Sequence, residues 1–347
     1  MRILYVGQMT AGSTCRMRAE ALRSLGHAVD AIDTTVLGER GFLNQAIHHL
    51  RWRLRRQADE TGANAALLAA PADAYDLLWL DKALTIRPDT LAALKRRGPR
   101  LMVVGYSPDD MHNPINNSRH FVRGLPLYDA FFTTKTYGVA ELKAMGCPRA
   151  YFTGNAYDPA VHRPVELSDA DRAQFGCDVG FVGTWEGDRA ELMNHLAKNS
   201  VPVSIRGSDW EGRDNHPNLR LTPGGIYADQ YAKAICATRI NLGFLRKINR
   251  DRQTTRSVEI PACGAFMLAE RTDEHQALFE EGKEAEYFDG PDELLEKCRY
   301  YLAYEAERAA IAAAGRARCL RDGYSYQGRL QQILDQVATI RGERGGG

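Results

Sequence analysis

The fold class follows from residues 254–279, TTRSVEIPACGAFMLAERTDEHQALF, and from the way their pattern recurs along the chain. A threonine can cap a short helix that carries Arg256 and Glu259 on one face, and a proline and a Cys-Gly pair end it. The apolar run 265–269 has the length of a buried strand, and residues 270–273 leave its carboxyl end. Open α/β sheets bind ligands at the carboxyl ends of their strands. The stretch therefore predicts a guanidinium, a carboxylate and a helix start beside one ligand site.

Short apolar runs alternate with helical patterns over the whole chain. The alternation predicts parallel sheets, and the fold class is therefore α/β with two Rossmann-like, doubly wound domains. The predicted domains are 1–165 and 177–325, joined by a turn-rich linker, followed by a helix at 326–341 that returns to the first domain and a disordered tail at 342–347. Strands are predicted at 3–6, 28–32, 75–80, 100–104, 130–133, 151–153, 179–182, 202–205, 240–245, 265–269 and 284–288.

The composition excludes several classes of protein. A chain of 347 residues with 44% hydrophobic and 26% charged residues is typical of a globular protein, and a net charge of +1 gives no general attraction to nucleic acid. The seven cysteines are odd in number and contain no CxxC pair, which disfavours a disulfide framework or a structural zinc site. The first residues form a strand pattern rather than a signal peptide, and no apolar run has membrane-spanning length. We expect a cytoplasmic protein with at most peripheral contact to the inner face of a membrane.

One set of motifs resembles a known family. The pattern Arg256-x-x-Glu259-x-Pro-Ala-Cys-Gly, the strand after it and a Thr-Asp-Glu start of the next helix resemble the C-terminal domain of CgeB-like, spore-maturation-protein type, group 1 glycosyltransferases. Further similarity lies in DVGFVGTW at 178–185 and in Tyr-Tyr-Leu at 300–302, so that the resemblance covers about 178–334. It implies the GT-B architecture, in which two such domains face each other across a cleft. It also implies transfer of a sugar from a nucleotide-sugar donor held by the C-terminal domain to an acceptor held by the N-terminal domain.

The donor site needs fixed positive charge, because the bond from the sugar to phosphate leaves a negative diphosphate when it breaks. Arginine suits this purpose because its fork can bind two phosphate oxygens, and a glycine before a helix start provides backbone N–H groups for an anion. The resemblance implies that Glu259 accepts hydrogen bonds from ribose hydroxyls and that the loop 206–210 lies near the base. Packing is the alternative for Trp210. The donor-binding candidates are Gly183, Thr184, Arg189, Arg206, Gly207, Trp210, Lys247, Asp251, Arg256, Glu259 and Thr272.

Two features of this predicted donor site concern its chemistry. Asp251 stands eight positions before Glu259, where related enzymes have a glutamate, so its role as a donor ligand is open. Protein cations and helix dipoles replace a metal in such sites, and no cofactor or metal is expected. The Asp169-Ala170-Asp171 sequence superficially matches a metal-binding motif, but it follows a serine and is interpreted as a helix cap.

The catalytic candidates of the first domain lie after the strand 100–104. Asp109, Asp110 and His112 follow a strand end, and a carboxylate or an imidazole there can accept the acceptor's proton if the reaction inverts the anomeric centre. Ser-Pro-Asp-Asp is equally good turn chemistry, so a turn remains the alternative. The resemblance favours the functional interpretation, because similar proteins carry an Asp-Asp pair here.

Two other segments of the first domain have open roles. The loop that contains Gly7, Gly12 and Ser13 lacks the lysine of a P-loop. The glycine motif of dinucleotide-binding folds is also absent. The resemblance implies that this acceptor-side loop faces the cleft. Residues 42–70 are predicted to be mostly helical and their middle is basic. This basic segment is either a solvated helix face or a surface for an acidic or membrane-embedded acceptor.

Two alternatives to a glycosyltransferase use the same fold. A sugar-nucleotide epimerase would isomerise the donor without an acceptor, and a non-catalytic protein would bind a sugar nucleotide without turnover. The acceptor of a glycosyltransferase stays open among glycans, lipid-linked glycans, proteins and small molecules.

Overall fold

The computed structural model describes residues 1–36, 42–213 and 216–345, and the chain forms two compact units. The first unit contains Met1–Gly154 and Tyr326–Gly347, and the second contains Asn155–Ser325. Residues 155–165, which the sequence assigns to the first domain, lie in the second unit. The physical reason is a long-range contact: the N–H group of Tyr157 donates to the carbonyl of Tyr324 at 3.1 Å, and both rings join the second unit's core.

Each unit contains one parallel six-stranded sheet. The strand order is β2-β1-β3-β4-β5-β6 in the first unit and β12-β11-β10-β7-β8-β9 in the second. These sheets confirm the predicted α/β class, and β9 is a strand that the sequence analysis missed. The strands are β1 Arg2–Gly7, β2 Ala28–Asp33, β3 Leu77–Asp81, β4 Met102–Ser107, β5 Ala130–Thr133, β6 Ala150–Phe152, β7 Cys177–Val182, β8 Val203–Gly207, β9 Leu219–Pro223, β10 Thr238–Gly243, β11 Met267–Glu270 and β12 Glu286–Phe288.

Helices connect the strands in both units. Within the described ranges, none of them is both long and apolar enough to cross a membrane. The predicted helical segment 42–70 is two helices, α2 and α3, with a left-handed residue, Arg55, between them. The helices are α1 Thr14–Ser24, α2 Phe42–Arg53, α3 Ala63–Ala69, α4 Pro88–Arg97, α5 Arg119–Gly124, α6 Gly138–Ala144, α7 Asp169–Phe175, α8 Gly187–Lys198, α9 Ala228–Ala237, α10 Arg256–Ala262, α11 Asp273–Leu278, α12 Gly290–Ala303, α13 Glu305–Arg321 and α14 Tyr326–Gly345.

The core of the first unit forms on both faces of its sheet, as expected for parallel strands. Every residue of β3 and β4 is buried. On one face Trp79 stacks between Tyr5 and Tyr106, with ring centroids 6.2 and 5.9 Å apart. Arg18 and Asp81 form a buried ion pair beside these rings, and Tyr5 donates its hydroxyl hydrogen bond to the same carboxylate. The charges of Arg18 and Asp81 therefore compensate each other inside the core, whereas Nε1 of Trp79 has no hydrogen-bond partner among the described residues.

The last helix, α14, belongs to the first unit. The guanidinium of Arg18 lies 5.6 Å from the ring of Tyr326, and Arg341 donates to the carbonyl of Asp76 at 2.7 Å. The helix runs to Gly345, whereas the sequence predicted a disordered tail from residue 342. An ion pair between Arg344 and Asp129 accounts for the extra turn. Residues 346 and 347 of the predicted tail lie outside the described residues.

Candidate functional site

The short helix α10 begins at Arg256, and Glu259 follows one turn later on the same face. Pro261 sits in the last turn of α10, and the helix ends at Ala262, two residues before Gly264, whose φ of 69° favours a residue without a side chain. The N–H group of Gly264 donates to the carbonyl of Pro261 at 2.8 Å and closes the turn. The predicted order of helix, turn and strand is therefore present.

The carboxylate of Glu259 is the centre of a buried network. Its Oε2 atom accepts hydrogen bonds from the Tyr231 hydroxyl at 3.0 Å and from the Arg256 guanidinium, and its Oε1 atom lies 3.6 Å from Nε2 of His162. Only 4% of the Glu259 side chain is exposed. Burial would raise the pKa of this carboxyl, but the charge of Arg256, the neighbouring His162 and the two hydrogen bonds outweigh burial and lower it. Glu259 is therefore an anion that holds its neighbours in place.

The imidazole of His162 reaches Glu259 from residues that precede α7. Its Nδ1 atom accepts a hydrogen bond from the N–H group of Asp158 at 2.9 Å, so the proton of the neutral ring is on Nε2 and points to Glu259. Burial lowers the pKa of His162. The ring packs edge-on against Tyr231 at 5.3 Å, and burial raises the pKa of that phenol, which stays a hydrogen-bond donor.

Arg256 connects this network to the carboxyl end of β7. Its Nε atom donates to the carbonyl of Val182 at 3.3 Å, and its guanidinium lies 4.7 Å from the ring centroid of Tyr231. Burial would lower the pKa of Arg256, but Tyr231 and Glu259 raise it, so the charge is permanent. A third of its side chain is exposed, 33%. Arg256 is thus a fixed cation that a ligand can reach.

A second guanidinium lies at the same strand end. Nη1 of Arg189, on α8, donates to the carbonyl of Thr184 at 3.1 Å, two residues after Val182. The pKa of Arg189 is lowered, mainly by burial. In the part of the chain that the structure describes, its Nε atom is buried and has no hydrogen-bond partner. The turn 182–184 therefore carries one arginine on each side of Gly183.

The backbone of this turn packs directly on the loop after β8. A Cβ atom on Gly207 would lie 1.9 Å from the carbonyl oxygen of Gly183, so only glycine allows the two loops to meet. Nε1 of Trp210 donates to the same oxygen at 2.9 Å, and the indole is 2% exposed against Phe181. Of the two alternatives for Trp210, the structure shows packing.

The other predicted donor residues occupy several places. The prediction that Arg206 binds the donor is corrected by its surroundings. Its guanidinium is buried and donates to the carbonyls of Gln174 and Phe175, which have no partner within α7, instead of lying open to a ligand. Lys247 pairs with Asp188 at 2.7 Å on the surface, where such a pair is weak and open to exchange. Asp251 accepts from Nδ2 of Asn249 at 3.1 Å. Thr272 caps α11 by accepting from the N–H group of His275 at 3.0 Å.

Two Asp-containing motifs form a helix cap and a turn. In the Asp169-Ala170-Asp171 sequence, Ser168 and Asp171 form a reciprocal capping box at the start of α7, and Lys233 pairs with Asp171 at 2.9 Å. This motif is therefore the predicted helix cap. The carboxylate of Asp110 is buried and accepts from the N–H groups of His112 and Asn113 at 3.1 and 3.3 Å, which is the turn alternative.

The remaining residues of that loop are more accessible. Asp109 forms an ion pair with Lys82, which directly follows β3, and the side chain of Asp109 is partly exposed. His112 is exposed. Lys82 has a φ of 45°, a left-handed conformation that is uncommon for a lysine and is frequent at functional sites.

The acceptor-side loop has clear structural roles. Ser13 caps α1 by accepting from the N–H group of Arg16 at 3.2 Å, and Gly12 has a φ of 79°. A cavity of about 550 Å³ lies at the carboxyl ends of β1, β2 and β3, within the first unit. Asp81 and Lys82 line it together with His48, whose Nδ1 atom is 3.4 Å from Glu60. The predicted acceptor role of Gly7, Gly12 and Ser13 stays a prediction.

Sequence reasoning missed His162, Tyr231 and Lys82. His162 lies in a segment that was interpreted as a linker, and Tyr231 occupies the buried face of α9, where an aromatic residue normally indicates only packing. Lys82 had a usable signal, because a charged residue directly after a buried strand marks the ligand-binding edge of a parallel sheet.

Comparisons with known proteins bear on the enzyme class and on the fold. Residues 189–335 match the glycosyl transferase-like family. The match confirms the predicted enzyme class. No curated protein matches the sequence at a significant level.

Solved structures show the fold. HepE from Anabaena, in complex with UDP and glucose, has a TM-score of 0.62 and 14% identity, covering 98% of this chain and 100% of that chain. Sucrose-phosphate synthase from Thermosynechococcus elongatus has a TM-score of 0.65 and 13% identity, covering 98% and 99%. The trehalose 6-phosphate synthase from Burkholderia multivorans has a TM-score of 0.62 and 12% identity, covering 99% and 98%. The chain therefore has the GT-B fold of these enzymes.

Proposed function

We propose that this glycosyltransferase takes its sugar from a UDP-activated donor, and that Arg189 and Arg256 bind the diphosphate at the carboxyl end of β7. One observation carries the proposal: the carbonyls of Val182 and Thr184 each receive one guanidinium, on either side of Gly183. HepE, a solved structure with the same fold, binds UDP and UDP-glucose, which supports a uridine nucleotide as the donor's carrier. The CgeB-like subgroup is part of the proposal, supported by the Arg256-x-x-Glu259 pattern and the residues after it.

The chemistry follows from the fixed charges. The bond from the anomeric carbon to the diphosphate oxygen breaks, a bond from that carbon to an acceptor hydroxyl oxygen forms, and the hydroxyl proton leaves to a base. Negative charge grows on the diphosphate, so cations that need no rearrangement stabilise the transition state more than the bound donor. Glu259, Tyr231 and His162 hold Arg256 in this position before the donor binds. The proposal needs no metal, so a chelator should leave turnover unchanged.

The proton acceptor in the proposal belongs to the loop after β4. Asp110 is buried in its turn, so Asp109 and His112 are the members of the predicted set that a substrate can reach. The predicted ribose contact of Glu259 requires Oε1, because Oε2 already accepts two hydrogen bonds. Cytoplasmic location remains part of the proposal and is supported by seven free cysteines, all within the described ranges.

The test compares UDP with uridine by isothermal titration calorimetry. Arg189→Gln and Arg256→Gln should each weaken UDP binding by about 10- to 100-fold, because a hydrogen bond to a charged group contributes roughly 1.5–3 kcal/mol. Uridine binding should change less than threefold. Arg239→Gln is the matched control, because Arg239 lies at the amino end of β10 and pairs with Asp178 at 2.9 Å.

Each result has a definite meaning. Equal losses for UDP and uridine would contradict the diphosphate assignment, and so would an effect of Arg239→Gln as large as the others. If proton NMR shows that a UDP-sugar is isomerised in the absence of any acceptor, the protein is an epimerase rather than a transferase. Binding of UDP-sugars without turnover toward any class of acceptor would favour the non-catalytic alternative.

A further inference from the structure

Helix α2 of the first unit presents a row of exposed apolar side chains. Ile47, Leu50 and Leu54 are three and four residues apart, a spacing that places them on one helix face. The N–H group of Leu54 donates to the carbonyl of Leu50 at 2.9 Å, so the helical turn continues past Arg53. The three side chains are 47%, 57% and 45% exposed. We call these three residues the apolar ridge.

Arginines flank the apolar ridge along the sequence. Residues 42–58 contain four arginines and no aspartate or glutamate, in a chain whose net charge is only +1. Arg51, Arg53 and Arg56 are exposed. Arg55 donates to the side chain of Asn117, which anchors the end of the helical segment to the body of the unit. The local charge is therefore concentrated beside the exposed leucines.

This combination indicates a ligand that is apolar inside and negative at its surface. Three exposed aliphatic residues on one helix face are unusual without a partner, and each of the three exposed arginines would find a partner in an anionic headgroup. A second copy of the chain is a poorer partner, because a symmetric contact would bring the same arginines of both copies together. Nucleic acid would use the arginines but would leave the leucines in water.

We propose that the apolar ridge and its flanking arginines dock this protein on an anionic membrane surface. The leucines enter the boundary between headgroups and acyl chains, and the arginine stems lie along that boundary with their guanidiniums at the lipid phosphates. The proposal does not depend on the donor site, because lipid binding needs neither nucleotide nor turnover.

Another exposed leucine shows why charge matters here. Leu320 on α13 is 58% exposed, more than any residue of the apolar ridge. Its neighbour Arg321, however, pairs with Asp322 at 2.8 Å and with Glu284 at 3.7 Å. Leu320 and Arg321 thus match the ridge in exposure but lack its positive charge, and they provide the control.

The experiment is co-sedimentation of the full chain with vesicles of phosphatidylcholine alone or mixed with phosphatidylglycerol. Arg51→Gln with Arg53→Gln should weaken partitioning to anionic vesicles by about 30-fold, at about 1 kcal/mol for each basic residue at such a surface. Leu50→Ser should weaken it by about tenfold or more, since burial of a leucine contributes roughly 1.5–3 kcal/mol. The double variant Leu320→Ser with Arg321→Gln should bind as the unchanged protein does.

Circular dichroism and thermal unfolding show whether each variant is folded, and all five substituted positions are exposed surface sites. Binding to anionic but not neutral vesicles, lost in raised salt, supports the proposal. Equal binding to both vesicle types, no binding to either, or an equal loss in the Leu320 control would overturn it. A dimer that Leu50→Ser dissociates, without any vesicle binding, would assign the ridge to self-association instead.

Discussion

Neutralising Glu259 should loosen Arg256 and destabilise the second unit. The change Glu259→Gln keeps the shape of the side chain and one acceptor oxygen, but it removes the negative charge. The Tyr231 hydroxyl at 3.0 Å and the Arg256 guanidinium then compete for that oxygen. The amide nitrogen of the glutamine is itself a donor, and it would face the donor groups that now point at the carboxylate. The network therefore cannot be satisfied in the variant.

The magnitude follows from burial on each side of the pair. Removing one partner of a fully buried ion pair costs about 3–5 kcal/mol, because the other charge is left without compensation. Glu259 is 4% exposed but Arg256 is 33% exposed, so water recovers part of the cost. We expect a loss of about 2 kcal/mol in the free energy of unfolding. In a unit of this size that loss lowers the melting temperature by roughly 4–8 °C.

A double-mutant cycle separates this interaction from other effects of each change. Unfolding by urea is measured for the unchanged protein, Glu259→Gln, Arg256→Gln and the double variant, and the coupling free energy between the two positions should be about 2 kcal/mol. UDP affinity in Glu259→Gln should fall together with that of Arg256→Gln. A coupling below about 0.5 kcal/mol, or unchanged UDP affinity in Glu259→Gln, would refute the idea that Glu259 holds Arg256 in place.

Three further outcomes are expected from the structure. Burial lowers the pKa of His275 to about 4. As pH falls, the imidazole takes up a proton in the unfolded chain before it does so in the folded protein, so the free energy of unfolding should fall by about 3 kcal/mol between about pH 6.5 and pH 4. Urea titrations should show a smaller fall in His275→Gln. Gly207→Ala should abolish UDP binding in calorimetry while Gly212→Ala does not, since only the first added Cβ meets the backbone of Gly183. Asp110→Asn should unfold in urea like the unchanged protein, whereas Asp110→Ala should lose about 1 kcal/mol, the usual cost of removing a cap for two backbone N–H groups.

The fold could be predicted because its signals are local. Each buried strand of a parallel sheet is a short apolar run, and a helix start or a glycine marks its end, so the order of elements can be read without knowing any long-range contact. The strand β9, LRLTP, was missed because only its first residue is buried and it lies at the sheet edge. The extension of α14 was missed because the ion pair of Arg344 joins residues far apart in sequence.

The candidate site was only partly predictable, because side-chain partners are not a local property. Arg256 and Glu259 share a helix face at a fixed spacing, so their pairing follows from the sequence. His162 reaches the same carboxylate from 97 positions away, and no period or motif links the two residues. For Arg206 the local signal was misleading. Its position at the end of a strand predicted contact with a ligand, but its guanidinium donates to the unpaired carbonyls at the end of α7.

The assignment of α14 to the first unit has a consequence for the order in which the protein is made. All six strands of the first sheet are complete once residue 152 has been synthesised, but the helix whose Tyr326 lies beside Arg18 follows only after the whole second unit. The second unit is an insertion whose two ends already meet in a backbone bridge between Tyr157 and Ser325. Domains usually complete their folding from the N-terminus onward during synthesis. In this chain every residue of the second unit is synthesised before α14, so the first unit cannot be completed until the second has been made.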